Sequence, residues 1–171
     1  MPLRFWAFLI VCSILPDLDV IGFFFGWRLG GVWGHRGLSH SLLFAFLLSF
    51  LILLLGFKDW GRFSKPWWRL WVFFFLVNSA HGFLDAITDG GRGVAFFSPF
   101  DNSRYFLPWT PLKVSPVGLE GFFSPWGRGV ILSEIVWVWI PTIFLWAAVK
   151  GCQKVLDLRN KKASCRRTSR G

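Results

Sequence analysis

Leu38 to Phe57 reads LSHSLLFAFLLSFLILLLGF, 20 residues without an acid, a lysine or an arginine. Crossing a bilayer core of roughly 30 Å at 1.5 Å per residue takes about 20 apolar residues, so this run alone points to a membrane. Gly129 to Val149 is a second such run, broken only by Glu134. Trp67 to Leu84 is a third, with Arg69 near its start and Asn78, Ser79 and His81 in its second half. Phe5 to Leu15 is too short to cross and stops at Pro16 and Asp17, which makes it a short membrane helix. Composition agrees: 171 residues with 21 Phe, 12 Trp and 16% charged residues hold more large apolar side chains than one water-facing core of this size can bury. A disordered chain and an ordinary cytosolic enzyme are excluded. The expected fold is all-α, a polytopic membrane helix bundle of three spans plus a short N-terminal helix, with a Gly/Pro-rich outer loop. Residues 1–149 form the membrane-embedded domain and residues 150–171 a basic tail.

The net charge of +10 is unevenly placed. From Lys150 onward the tail carries eight basic residues against Asp157 alone. Lys and Arg beside membrane segments mark the cytoplasmic side. The C-terminus is therefore expected in the cytoplasm, together with the Lys58–Arg69 connection, and the stretches Pro16–Gly37 and Asp85–Arg128 on the outer face. The basicity is then a topology signal and gives no reason to expect nucleic acid. Such a tail also suits docking to anionic lipid or to a cytoplasmic protein partner. The three cysteines lack metal-ligand spacing.

All three histidines and four of the nine acids fall in two islands on the expected outer side. The first holds Pro16-Asp17-Leu18-Asp19 and then His35-Arg36-Gly37-Leu38-Ser39-His40-Ser41, with Ser39 as the expected helix N-cap. The second runs from His81 to Asp89. Spacing of i, i+4 places His81, Asp85 and Asp89 on one helical face, joined by Asn78. Imidazole and carboxylate one turn apart can reach the same divalent ion, zinc first, with manganese or iron also suited. Ionisable groups gathered at a membrane boundary point to function. Beyond them, Gly90 to Arg128 is a Gly/Pro-rich loop in which Arg92 and Arg104 are candidates for holding a phosphate or carboxylate.

In combination and order, Leu15-Pro16-Asp17-Leu18-Asp19, His35-Arg36-Gly37-Leu38-Ser39-His40-Ser41-Leu42-Leu43, His81-x-x-x-Asp85-x-x-Thr88-x-x-Gly91 and Ser98-Pro99-Phe100 resemble the signature of the bacterial membrane-bound metal-dependent hydrolases, also described as LexA-binding, inner-membrane-associated hydrolases. The resemblance covers residues 14 to 120. It implies an α-helical protein of the bacterial inner membrane with hydrolase activity. Members usually carry a further histidine on an earlier helix, whereas none precedes His35 here. The resulting expectation is a divalent metal held by Asp19, His40, His81 and Asp85. Asp17, His35 and Asp89 serve as catalytic groups, further ligands or orienters, and Arg36 and Arg92 bind a phosphoester or lipid-like substrate.

Overall fold

The computed structural model describes residues 2–26, 31–116 and 119–168. Residues 27–30 of the first outer stretch, residues 117–118 of the Gly/Pro-rich loop and the tip of the basic tail lie outside the described residues, and the end of that loop is helical. Helices are the only extended regular elements among those described, as expected of an all-α chain. The chain divides into two compact units, Met1–Val114 and Ser115–Gly171.

The first unit is built on α1 (Leu3–Ile14), α2 (Leu42–Gly56) and α3 (Lys65–Ala86). The starts of α2 and α3 follow from local chemistry. The Ser41 hydroxyl accepts from Phe44 N at 3.1 Å, and the Ser64 hydroxyl accepts from Trp67 N at 3.4 Å with Pro66 in the first turn. A short connection makes α2 and α3 an antiparallel hairpin, and α1 packs on α3. Their shared core is Phe5, Cys12, Leu53, Phe57, Trp67 and Phe74, all buried. Ring contacts such as Phe57–Phe74 at 5.8 Å and Phe50–Trp67 at 5.5 Å stitch the hairpin together. Arg4 pairs with Asp59 and lies 5.1 Å over the Phe57 ring, which ties the start of α1 to the connection and holds the Asp59 carboxyl below its usual range.

Helix limits differ from those expected. The apolar run Leu38–Phe57 does not form one helix, because Leu38–His40 is a separate 3-10 turn and α2 begins only after Ser41. Ser41, not Ser39, is the cap. The resulting helix has 15 residues, about 22 Å at 1.5 Å per residue and short of the ~30 Å core. The 22 residues of α3 are long enough, yet Arg69, Asn78, Ser79, His81 and Asp85 dilute its apolar character. The short first helix continues past Pro16 into a 3-10 segment, Pro16–Phe25, bent from α1 by 46° across Leu3–Ile14 and Pro16–Gly22.

The loop after α3 is ordered without becoming a sheet. Val94 and Tyr105 exchange backbone hydrogen bonds of 2.9 and 3.0 Å, Leu107 N caps α3 at Ala86 O, and Leu112 N bonds to Ile87 O. Ala95 N and Leu42 N bond across to Arg36 O and Phe96 O, which docks the loop on the turn before α2. Asp101, held by Ser103 and by the Tyr105 hydroxyl, stays below the usual carboxylate range, and the same contact raises the Tyr105 phenol.

In the second unit α4 (Leu119–Phe122) precedes α5 (Pro125–Glu134), which passes through a π-turn at Ile135–Trp139 into α6 (Ile140–Thr168). Pro141 lacks the N–H that would bond back to Trp137, and a π-turn just before it accommodates that break. Pro125–Asp157, 33 residues containing an 18-residue stretch of mean hydropathy 1.9, is the helix long and apolar enough to cross a membrane by itself among the described residues. The basic tail continues α6 helically as far as Thr168.

Phe74 is completely buried where α1, α2 and α3 meet. Phe74→Ala is expected to cost about 3–5 kcal/mol, read as an earlier unfolding midpoint of the detergent-solubilised protein, whereas truncation of the exposed Leu76 is expected to cost under about 1 kcal/mol in detergent.

Candidate metal centre

The 3-10 segment after α1, the turn before α2 and the last two turns of α3 bring the two polar islands together. His40 is the centre. Its side chain is fully buried, with Nε2 at 3.0 Å from Asp85 Oδ2 and 3.4 Å from Asp17 Oδ1. His81 Nε2 approaches Asp17 Oδ1 at 3.3 Å and Asp85 Oδ2 at 3.9 Å. One donor atom from each of Asp17, His40, His81 and Asp85 lies within 4.8 Å of every other. These four residues can hold one divalent ion. Asp17 is half exposed and His81 and Asp85 are about one-fifth exposed, so the cluster opens on the Asp17 side. Gly82 permits the approach of α3 to the turn: a Cβ there would sit 2.9 Å from His40 O and 3.5 Å from the Phe96 ring.

Two atoms of this cluster, His40 Nε2 and Asp85 Oδ2, are buried with no partner in hydrogen-bond geometry among the described residues. A buried polar group left so is costly and rare, and needs an explanation.

On the other side of His40 stands Asp19. Its Oδ1 accepts from His35 Nδ1 at 2.7 Å, and its Oδ2 accepts from the Ser39 hydroxyl and from Arg36 N at 3.2 Å, with His40 Nδ1 also at 3.2 Å. The sequence reading placed Asp19 among the four donors around the ion. In the structure Asp17 stands with His40, His81 and Asp85, and Asp19 falls in a second group with His35 and His40, whose donor atoms also lie within 4.8 Å of one another.

Arg36 is 5% exposed and differs from the substrate-binding role expected of it. Its Nη2 donates to Asp85 Oδ1 at 2.9 Å, and its Nη1 donates to Thr88 Oγ1 at 3.0 Å and Gly90 O at 3.1 Å. The guanidinium is spent inside the protein. Its backbone adopts φ 61°, uncommon for a residue with a side chain, and Gly91 at φ 88° leaves the space that the guanidinium fills.

Asp89 departs from the expected face as well. The helix ends at Ala86, so the four-residue spacing that aligns His81 with Asp85 does not carry on to Asp89. Its carboxylate instead accepts from Val114 N at 2.9 Å and holds the loop. Asn78 faces into the bundle and donates to Ser49 Oγ at 2.8 Å. Arg92 is exposed in the glycine-rich turn. Arg104 donates to the carbonyls of His35, Gly93 and Gly31, gathering the turn that presents His35 and Arg36. Thr88 and Ser39 complete the network. Sequence assigns neither to the site, although both stand in the quoted motifs.

Arg36→Met would leave Asp85 Oδ1 without its cation and is expected to destabilise the protein by about 3–5 kcal/mol. Asp89→Asn is expected to increase protease sensitivity of the 90–114 loop while leaving the imidazole NMR resonances of the three histidines in place.

Comparison with known proteins agrees with the membrane character. Inner membrane protein YbcI of Escherichia coli (strain K12) is 41% identical over 136 residues, covering 80% of this chain and 77% of that protein. No solved structure matches the chain. Residues 3–155, which include every residue of the cluster, match one family, and the chain belongs to it: the YdjM inner membrane protein family.

Proposed function

We propose that this protein is a multi-pass, metal-dependent hydrolase of the bacterial inner membrane, acting on a lipid-like phosphoester, with its site on the outer face and its C-terminus in the cytoplasm. The observation that carries the reading is the pair His40 Nε2 and Asp85 Oδ2, two buried atoms 3.0 Å apart that face each other without hydrogen-bond geometry. A cation held by these two residues together with His81 and Asp17 would give both atoms a partner of good geometry. Charge supports the same reading. With neutral imidazoles, Asp17, Asp19 and Asp85 against Arg36 leave two negative charges, which a divalent ion balances. Mixed imidazole and carboxylate donors suit zinc, with manganese or iron as further options.

When bound, such an ion supplies an activated water and polarises the ester under attack. The chain's own groups do the rest. His40 and Asp85 form the buried wall of the site, while Asp17 stands at its open edge, where substrate enters. His35, paired with Asp19, is a candidate proton carrier, and Arg92 is the remaining candidate for the phosphate, since Arg36 is engaged. Exposed Phe97, Phe100 and Trp109 on the loop fit a substrate that arrives from the lipid side. The orientation rests on the basic residues of the tail and of the Lys58–Arg69 connection. Recruitment of a cytoplasmic protein through residues 150–171 rests on the tail's charge.

A structural, non-catalytic ion is the second reading, favoured by the presence of four protein donors, because closed four-donor sites are usually structural. Purified protein in detergent is expected to carry stoichiometric zinc or another divalent metal, and His81→Ala and Asp85→Ala to lose it. Phosphoester hydrolysis should disappear on chelation and return with added metal. Wild-type protein without stoichiometric metal would overturn the proposal, and bound metal with no turnover across a phosphoester panel would favour the structural ion.

A further inference from the structure

A metal-binding imidazole must present a bare nitrogen to the ion, and which nitrogen is bare depends on the bond its other nitrogen makes. His40 aims Nε2 at the cluster of Asp17, His81 and Asp85, while its Nδ1 faces Asp19 Oδ2 at 3.2 Å and the Ser39 hydroxyl at 2.9 Å. The other oxygen of Asp19 takes His35 Nδ1 at 2.7 Å. Ser39 and the Arg36 amide pin this carboxylate from two further directions. Asp19 thus faces two imidazoles at once, one with each oxygen. Its side chain is 7% exposed and both its oxygens accept hydrogen bonds, whereas Asp85 Oδ2 faces His40 Nε2 at 3.0 Å and His81 Nε2 at 3.9 Å without hydrogen-bond geometry.

We infer that Asp19 is a positioning residue and not a metal ligand: it keeps the Nδ1 protons of His40 and His35 in place, so that His40 turns Nε2 toward the metal. The inference rests on the metal reading of the cluster and assigns Asp19 the part that a carboxylate behind a ligating histidine plays.

The test uses full-length protein labelled with ¹⁵N-histidine, which gives three imidazoles to assign. Wild-type protein is expected to show strongly downfield Nδ1–H protons for His40 and His35. In Asp19→Asn both should move upfield together, with zinc still bound one per chain but about 10- to 100-fold more weakly. Asp85→Asn should lose stoichiometric zinc and keep the two Nδ1–H signals. The inference is overturned if Asp19→Asn loses zinc as completely as Asp85→Asn, if it changes neither affinity nor the N–H signals, or if the wild-type protein lacks those signals, a result that requires no variant to fold. Wild-type protein that binds no stoichiometric zinc defeats the hydrolase reading instead, while the Nδ1–H signals of the metal-free protein still report whether Asp19 holds the two rings.

Discussion

Ionisable groups that leave water must be compensated, and the first unit is arranged around that requirement. His40 sits with its side chain wholly enclosed, between Asp19 on one side and Asp17, His81 and Asp85 on the other. Arg36 neutralises one oxygen of Asp85 from inside the protein, and Arg104 gathers the carbonyls of the turn that delivers Arg36 and His35. The 90–114 loop closes over this arrangement, and backbone bonds from Ala95 to Arg36 and from Leu42 to Phe96 hold it there. Below, the aromatic hairpin of α2 and α3 gives a stiff base from which His81 and Asp85 project one helical turn apart.

Much of the site is legible in the sequence because it depends on local spacing. Four residues on a helix place His81 beside Asp85 whatever surrounds them, and the chemistry of His and Asp limits what the pair can do. Asp17, Asp19, His35 and His40 are also legible as groups, but their division of labour is not. That division depends on which carboxylate oxygen faces which ring nitrogen, a property of tertiary packing. Asp89 shows the limit of periodicity: spacing predicts its alignment only while the helix lasts, and the helix ends three residues earlier. Arg36 shows another limit. Its inward turn needs a left-handed backbone, a glycine at 91 and acceptors at Thr88 and Gly90, more than fifty residues away.

The helix lengths were legible only in part, and for the same reason. The apolar run from Leu38 satisfies the count for a span, yet its first residues form the turn that carries His40, which leaves α2 at 15 residues. The polar residues that thin out the apolar character of α3 include two of the proposed metal donors. Features that weaken these segments as ordinary membrane helices therefore build the site. In the second unit no such demand arises, and Pro125–Asp157 is both long and apolar.

X-ray absorption at the metal edge of the purified, zinc-loaded protein addresses the central assignment most directly. Donors from His40, His81, Asp17 and Asp85 predict a first coordination sphere of nitrogen and oxygen only, at about 2.0–2.2 Å, with the outer scattering pattern of two imidazoles. A sphere containing sulfur at about 2.3 Å, or one with no imidazole scattering, would contradict it.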